Sequence, residues 1–233
     1  MAVMLVRYSR SGGRPPADDE LLEVHADGTF LARRTVGGAR IGTFAGTLPA
    51  PTMKALERDA AACGKVEGLW LETPRDGATE SIELGPDGEV GASMGSNARP
   101  GGPWGALVVR LRELTDRVTD HPSAALELVA DATGARLAAV GAEPVEVNEA
   151  TIEVSFVRLD RSGVPVARWG SAAGDPMATS PRWRHTDPGW SLQLPFDATI
   201  TLEPGDWLQV RVIVTVRADA TRRARLFVAV PGG

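Results

Sequence analysis

An α+β domain followed by an all-β sandwich, of jelly-roll or immunoglobulin-like type, is the fold that the sequence predicts. Three observations predict it. Up to about residue 120, strand-like runs alternate with two stretches of helical apolar spacing. From Ala124 onward the helical period disappears, and seven or eight short strand-like runs follow. The clearest of these, residues 207–217, alternates Leu208, Val210, Val212, Val214 and Val216 with Gln209, Arg211, Ile213, Thr215 and Arg217. That period of two makes one buried face. At 233 residues the chain has room for two ordinary domains, expected at 1–120 and 124–233.

In the first half, residues 3–10 read as a strand. Val3 and Leu5 fall on one face, and Met4, Val6 and Tyr8 on the other. Apolar residues on both faces predict a central, doubly covered strand, which Ser11-Gly12-Gly13 and Pro15-Pro16 then break. Residues 20–25 and 29–35 flank Ala26-Asp27-Gly28, and Asp-Gly between two such runs signals a hairpin. A short strand fits 40–44. Pro49 and Pro51 introduce a helix that runs to Cys63 and is closed by Gly64, with Met53, Leu56, Ala60 and Cys63 as its apolar stripe. A second hairpin joins 80–84 to 89–93 through Pro86-Asp87-Gly88. A second helix over 103–118 carries Leu107, Leu111, Leu114 and Val118 on one side. Half strand and half helix, this region is of the α+β class.

The strands of the second half are expected at 124–130, 136–140, 150–159, 164–169, 191–194, 197–202, 207–217 and 223–230, with a hairpin turn at Asp160-Arg161-Ser162-Gly163. Between them, the segment from Trp169 to Trp190 shows few strand signals and reads as a long loop. It holds Trp169, Trp183 and Trp190, with Arg182, Arg184 and His185 among them. Tryptophan and arginine are typical anchors of a protein interface, and long loops in compact domains often carry function. Trp183, Arg184 and Trp190 are therefore candidate binding residues, although the same tryptophans would also serve to staple the loop to the sandwich.

Composition narrows the function classes. The apolar share of 43% and the charged share of 24% are those of a soluble globular protein. The formal charge is −5, without the basic footprint that nucleic-acid binding needs. Arginine outnumbers lysine 23 to 2, but the arginines are dispersed among acids. The single Cys63 excludes an intrachain disulfide, and His25, His121 and His185 lie far apart, so neither metal nor other cofactor is expected. The apolar run at 2–6 is shorter than the roughly 7–15 residues of a signal-peptide core, and no run approaches the roughly 20 residues of a membrane span. A cytoplasmic location is the expectation. Asp18-Asp19-Glu20 could offer oxygens to a cation, but adjacent acids rarely converge, and a solvated loop is the simpler reading. The glycines of 91–105 lack both the P-loop and the Rossmann fingerprint. Ser11 lacks the nucleophile-elbow context. No enzyme is predicted.

The strand running into Arg10-Ser11-Gly12-Gly13, followed by hairpin, helix, hairpin and helix, resembles the emfourin-like family of small protease inhibitors over residues 3–119. Arg14-Pro15-Pro16 and the appended β-domain depart from that family's pattern. The resemblance implies an inhibitor of a thermolysin-like metalloprotease, or at least a module that binds another protein. Arg10, Ser11, Gly12 and Gly13 would be its contact residues: the glycines permit close backbone approach and the other two supply polar groups. A plain tight turn would use the same glycines. The alternative function is a structural or adaptor protein whose β-sandwich mediates oligomerisation or docking, since Pro195-Phe196 and Leu202-Glu203-Pro204-Gly205-Asp206-Trp207, leading into a long strand, resemble the last strands of jelly-roll domains that often trimerise. Neither reading involves nucleic acid or membrane.

Overall fold

A computed structural model of the chain describes residues 3–12, 20–35, 37–63, 69–70, 78–86, 90–95, 101–131, 134–145, 152–170, 182–186, 189–195, 202–215 and 223–232. It is rich in antiparallel β-structure, with two α-helices among the described residues. The chain separates into two compact units, Met1–Thr35 with Thr43–Ser123, and Val36–Gly42 with Ala124–Gly233.

The first unit contains β1 (Met4–Gly12), β2 (Glu20–His25), β3 (Thr29–Arg34), β4 (Arg40–Thr47), α1 (Ala50–Ala62), β5 (Leu69–Trp70), β6 (Ala78–Leu84), β7 (Val90–Gly95) and α2 (Gly102–Arg117), then a 3-10 turn over Val118–Asp120. The first three residues of β4 belong to the second unit. The sheet order is β4-β3-β2-β1-β6-β7-β5, which makes β1 central. Its register pairs Val6 with Val24 and Leu84, and Tyr8 with Leu22 and Ile82. These six side chains are buried on one face. The other face of β1 is not covered: Arg7 and Ser11 are exposed, as is Val3 just before the strand, at 55%. There Arg7 lies between Glu23, 3.3 Å away, and Glu83, 3.7 Å away. The expectation of a doubly covered strand is therefore corrected. A strand can be central by pairing without being covered on both faces.

The predicted break at Ser11-Gly12 is also corrected. β1 continues through Gly12 because β6 runs beside it, with Ser11 paired to Thr79 and Gly12 to Ala78. Gly13 lies outside the described residues. The hairpin at Asp27-Gly28 forms as expected. Asp27 Oδ1 accepts from the Thr29 amide at 2.9 Å and from its hydroxyl at 2.6 Å. Gly28 takes φ 86°, a conformation that favours glycine.

On α1, Met53, Leu56 and Ala60 are buried, with Cys63 buried just past its end. On α2, Trp104, Leu107, Val108, Leu111 and Leu114 are buried. The two helices pack side by side, and α2 also meets β2. Between the helices lies a buried carboxylate, Asp59. It accepts from Arg110 Nε at 2.6 Å and from Arg58 Nη2 at 2.9 Å. Burial alone would raise the Asp59 carboxyl, but the bonds and charges of Arg110 and Arg58 hold it below the usual carboxylate range.

The second unit contains β8 (Pro122–Asp131, from Ala124 onward), β9 (Gly134–Val140), β10 (Glu153–Leu159), β11 (Pro165–Gly170), β12 (Arg182–Thr186), β13 (Gly189–Pro195), β14 (Trp207–Thr215) and β15 (Arg223–Pro231). Neighbours run β12-β13-β9-β8 in one array and β11-β10-β14-β15 in a separate four-stranded sheet. Leu126, Leu128, Ala135 and Leu137 of the first share one buried cluster with Val154, Val210, Val212, Val214, Ala224 and Leu226 of the second. The alternation read from 207–217 is thus the core stripe of β14, although residues 216–217 lie outside the described set. The strand expected at 197–202 falls on residues that are not described, apart from Leu202, which is not in a strand. The turn at Asp160 forms: its Oδ1 accepts from the amides of Ser162 and Val164, each at 2.9 Å.

Residues 36–42 complete this second unit. Gly37 N donates to Arg225 O at 3.1 Å, Phe227 N to Gly38 O at 3.0 Å, and Leu128 N to Ala39 O at 2.7 Å. Ile41 enters the core cluster, and Arg40 pairs with Glu127 at 2.7 Å. Gly42, at φ 130°, lies so close to β8 that a Cβ there would stand 2.3 Å from Ala124 O.

The Asp59 cluster gives a pH signature with a definite sign. An acid held below its unfolded pKa of about 3.9 contributes fully above that value and loses the contribution as pH falls through the folded pKa. Arg110→Ala should cost about 2 kcal/mol at pH 7 by urea denaturation. The gap from the native chain should narrow as pH falls below about 4. A gap that is constant between pH 7 and pH 3 would contradict this assignment.

Candidate functional site

Four neighbouring strands of the first unit end their inward-facing series on a charge. β1 runs Val6, Tyr8, Arg10; β2 runs Val24, Leu22, Glu20; β3 runs Phe30, Ala32, Arg34; and β6 runs Leu84, Ile82, Glu80. The register places the four charges in one row, Arg10 opposite both Glu20 and Glu80, and Glu20 opposite Arg34. Across β6-β1-β2-β3 the signs therefore alternate, so each cross-strand neighbour is of opposite sign.

Helix α2 lays Arg112, Thr115 and Asp116 over this row, positions that share one helical face. Together with Tyr8, Arg10, Glu20, Arg34 and Glu80 they line a cavity of about 270 Å³. Glu80 is 2% exposed and accepts from Arg112 through both Nε and Nη2 at 3.0 Å. The Tyr8 hydroxyl also bonds to Glu80. Burial, then the charges of Glu80 and Glu20, push that hydroxyl well above the usual phenol range, so Tyr8 is a hydrogen-bond donor and not a base. Arg34 Nε sits 2.8 Å from Glu20, while its Nη2 donates to Asp116 at 2.7 Å and to the Thr115 carbonyl at 3.3 Å. Burial raises the Glu20 carboxyl, against the opposing pull of Arg34 and Arg10.

Arg10 is the loosely held member. Its Nη1 is 3.7 Å from Glu20, and its Nε is buried without a hydrogen-bond partner among the described residues. A guanidinium with donors to spare is suited to receive a carboxylate or another oxyanion. The other charged groups pair with one another, Glu80 with Arg112, and Glu20 and Asp116 with Arg34.

Of the residues singled out in the sequence, Arg10, Ser11 and Gly12 form the last stretch of β1, with Arg10 in the cavity and Ser11 exposed. Trp183 and Arg184 lie on β12, and Trp190 is the second residue of β13. The backbone register pairs Trp183 with Leu192, Arg184 with Ser191 and His185 with Trp190. The reading of 169–190 as one long loop is corrected where the chain is described: Trp169 and Gly170 end β11, and 182–186 pairs with 189–195 as strands. Arg-Trp-Arg-His-Thr carries no apolar alternation, so periodicity had no means to find β12.

Glu20, read as part of a solvated acidic loop, instead opens β2 with its side chain 10% exposed. Asp18 and Asp19 lie outside the described residues. Tyr8, Arg34, Glu80, Arg112 and Asp116 were not singled out by the sequence reading. The available signal was the charge that closes each period-two run. Cys63 is buried, its Sγ donating to Asp59 O at 3.3 Å, and burial with the nearby Asp59 charge raises its thiol, as befits a core residue. Among the described residues no group of three or more His, Cys, Asp or Glu side chains is placed to hold a metal, and no helix is long and apolar enough to cross a membrane.

Removing one partner of a buried ion pair leaves an unpaired charge and costs about 3–5 kcal/mol. Arg112→Ala should show this loss in chemical denaturation, and the double variant Arg112→Leu with Glu80→Leu should regain most of it. Equal losses in the single and double variants would show that Glu80 does not depend on Arg112.

Comparison with protein-family models, with curated proteins and with solved structures finds no match to this chain.

Proposed function

We propose that the chain is a non-enzymatic protein-binding module. In this reading its first unit is an α+β domain that offers Arg10, Ser11 and Gly12 of β1, with Gly13 next in sequence, to a partner, and its second unit is a β-sandwich of jelly-roll or immunoglobulin-like type. The observation that supports it is the state of Arg10. That cation is held at one end by a long 3.7 Å contact and, among the described residues, its buried Nε has no acceptor. It stands beside the exposed Ser11 and a glycine with no side chain to block approach. An acidic group of the partner would complete the row. The resemblance to emfourin-like inhibitors suggests a thermolysin-like metalloprotease as that partner, with Trp183, Arg184 and Trp190 as a second contact.

The test uses the full chain against a panel of thermolysin-like metalloproteases. Inhibition at micromolar concentration is expected, weakened at least tenfold by Ser11→Trp and by Arg10→Ala. Absence of inhibition throughout the panel removes the inhibitor reading.

A second reading, assembly through the β-sandwich, is favoured by the side chains that the second unit leaves in solvent: Val164, Val166 and Trp207 are 54%, 53% and 43% exposed. Light scattering should then give a mass of two or more chains. A strict monomer at high concentration sinks that reading.

A further inference from the structure

The four-stranded sheet of the second unit carries a concentration of positive charge on the side opposite its core. On β14, Leu208, Val210, Val212 and Val214 are fully buried, so Gln209, Arg211 and Ile213 point outward. The register transmits that parity to the neighbouring strands. Gln209 lies opposite Val157, itself opposite Arg168 on β11; Arg211 lies opposite Ser155 and Phe227; and Ile213 lies opposite Arg225. Arg168, Arg211 and Arg225 therefore occupy three successive rows of one face, running diagonally across the sheet. Diagonal neighbours at such spacing are within reach of long side chains.

Among the described residues, neither Arg211 nor Arg225 sets its Nε on a carboxylate. Arg211 donates its Nε to the neutral Gln209 Oε1 at 2.6 Å, which orients the guanidinium without neutralising it. Arg225 has a buried Nε without a hydrogen-bond partner among the described residues. Burial, then the charges of Arg168 and Arg225, make the protonated form of Arg211 costlier than usual, the mark of cations crowded together. Among the described residues, Glu153 is the one carboxylate that the register places on this face, opposite Ile213. Solvent reaches this face at Arg168, which is exposed, and at Phe227, 40% exposed, while Arg211 is half-buried and Val157, in the row of Arg168, is buried.

We propose that this face is an oxyanion site of the phosphate class, taking free phosphate or a phosphate ester between Arg168 and Arg211, with Arg225 completing the charge. A single carboxylate would offset one of the three cations. A phosphate carries up to two charges and spreads them over several oxygens, which planar guanidinium forks bind in pairs. Ser155, on the strand between those of Arg168 and Arg211 and opposite Arg211, adds a hydroxyl to that row.

Isothermal titration of the full chain at constant ionic strength tests this, with inorganic phosphate, pyrophosphate, glycerol phosphate and hexaglutamate as probes. Saturable binding of pyrophosphate is expected, tighter than that of phosphate. Arg211→Gln should weaken it at least tenfold, and so should Arg168→Gln, whose exposed position spares the fold. Arg161→Gln, on a turn of the same unit, should change it less than twofold. Glycerol phosphate bound as well as phosphate assigns the site to esters, and phosphate bound alone assigns it to the free ion. Non-saturable binding, equal binding by the Arg211→Gln protein, or hexaglutamate bound more tightly than pyrophosphate overturns the proposal.

Discussion

Glu80 is a carboxylate taken almost wholly out of water, and the first unit is organised around keeping it satisfied. An ionised carboxyl in such a place persists only if donors replace its lost hydration. Arg112 supplies two from α2 and Tyr8 supplies another from β1. The bonds from Arg112 fix how α2 is rotated on the sheet. With Arg112 turned toward Glu80, Thr115 and Asp116 follow on the same face and reach Arg34, while Leu107, Leu111 and Leu114 descend into the apolar rows. A helix held by leucines alone could slide or turn at small cost. This one has a polar register as well as an apolar one.

The same arrangement explains where an opening can exist. Apolar rows close on themselves, because interdigitated side chains leave few voids larger than water. A row of alternating charges packs by distance and direction instead of by shape, and it leaves space where a contact is long. That place is beside Arg10. The cavity therefore arises where the sheet changes from apolar to charged rows, and the chemistry it offers follows from the one cation whose contacts are long.

Most of the elements could be read from the sequence, because each has a local cause. Pro49 and Pro51 open α1, Asp27-Gly28 turns the first hairpin, and the valine alternation of β14 marks a buried stripe. The charged row could not be read as a unit. Arg10, Glu20, Arg34 and Glu80 are brought side by side by strand register, and register is a long-range property that no local window contains. Glu20 shows the limit well: beside Asp18 and Asp19 it looks like a solvated acid, and only Arg34 across the strand makes it an inner one. β12 escaped for the opposite reason, since its pairing with β13 is backbone work that its side-chain pattern does not advertise.

The short segment 36–42 sets an order of events during synthesis. It is made early, yet the groups it bonds, on Leu128, Arg225 and Phe227, are made late. The Ala39 carbonyl must wait for β8, the Gly37 amide and Gly38 carbonyl must wait for β15, and Ile41 must wait for most of its core neighbours. The residues of the first unit from Thr43 to Ser123 are all made during that interval. The second unit is thus one whose opening piece and closing strand are separated by nearly the whole chain. The bonds of the opening piece to β15 form only after residues 225–227 have been made, and a cut near residue 120 would give each fragment a piece that belongs to the other.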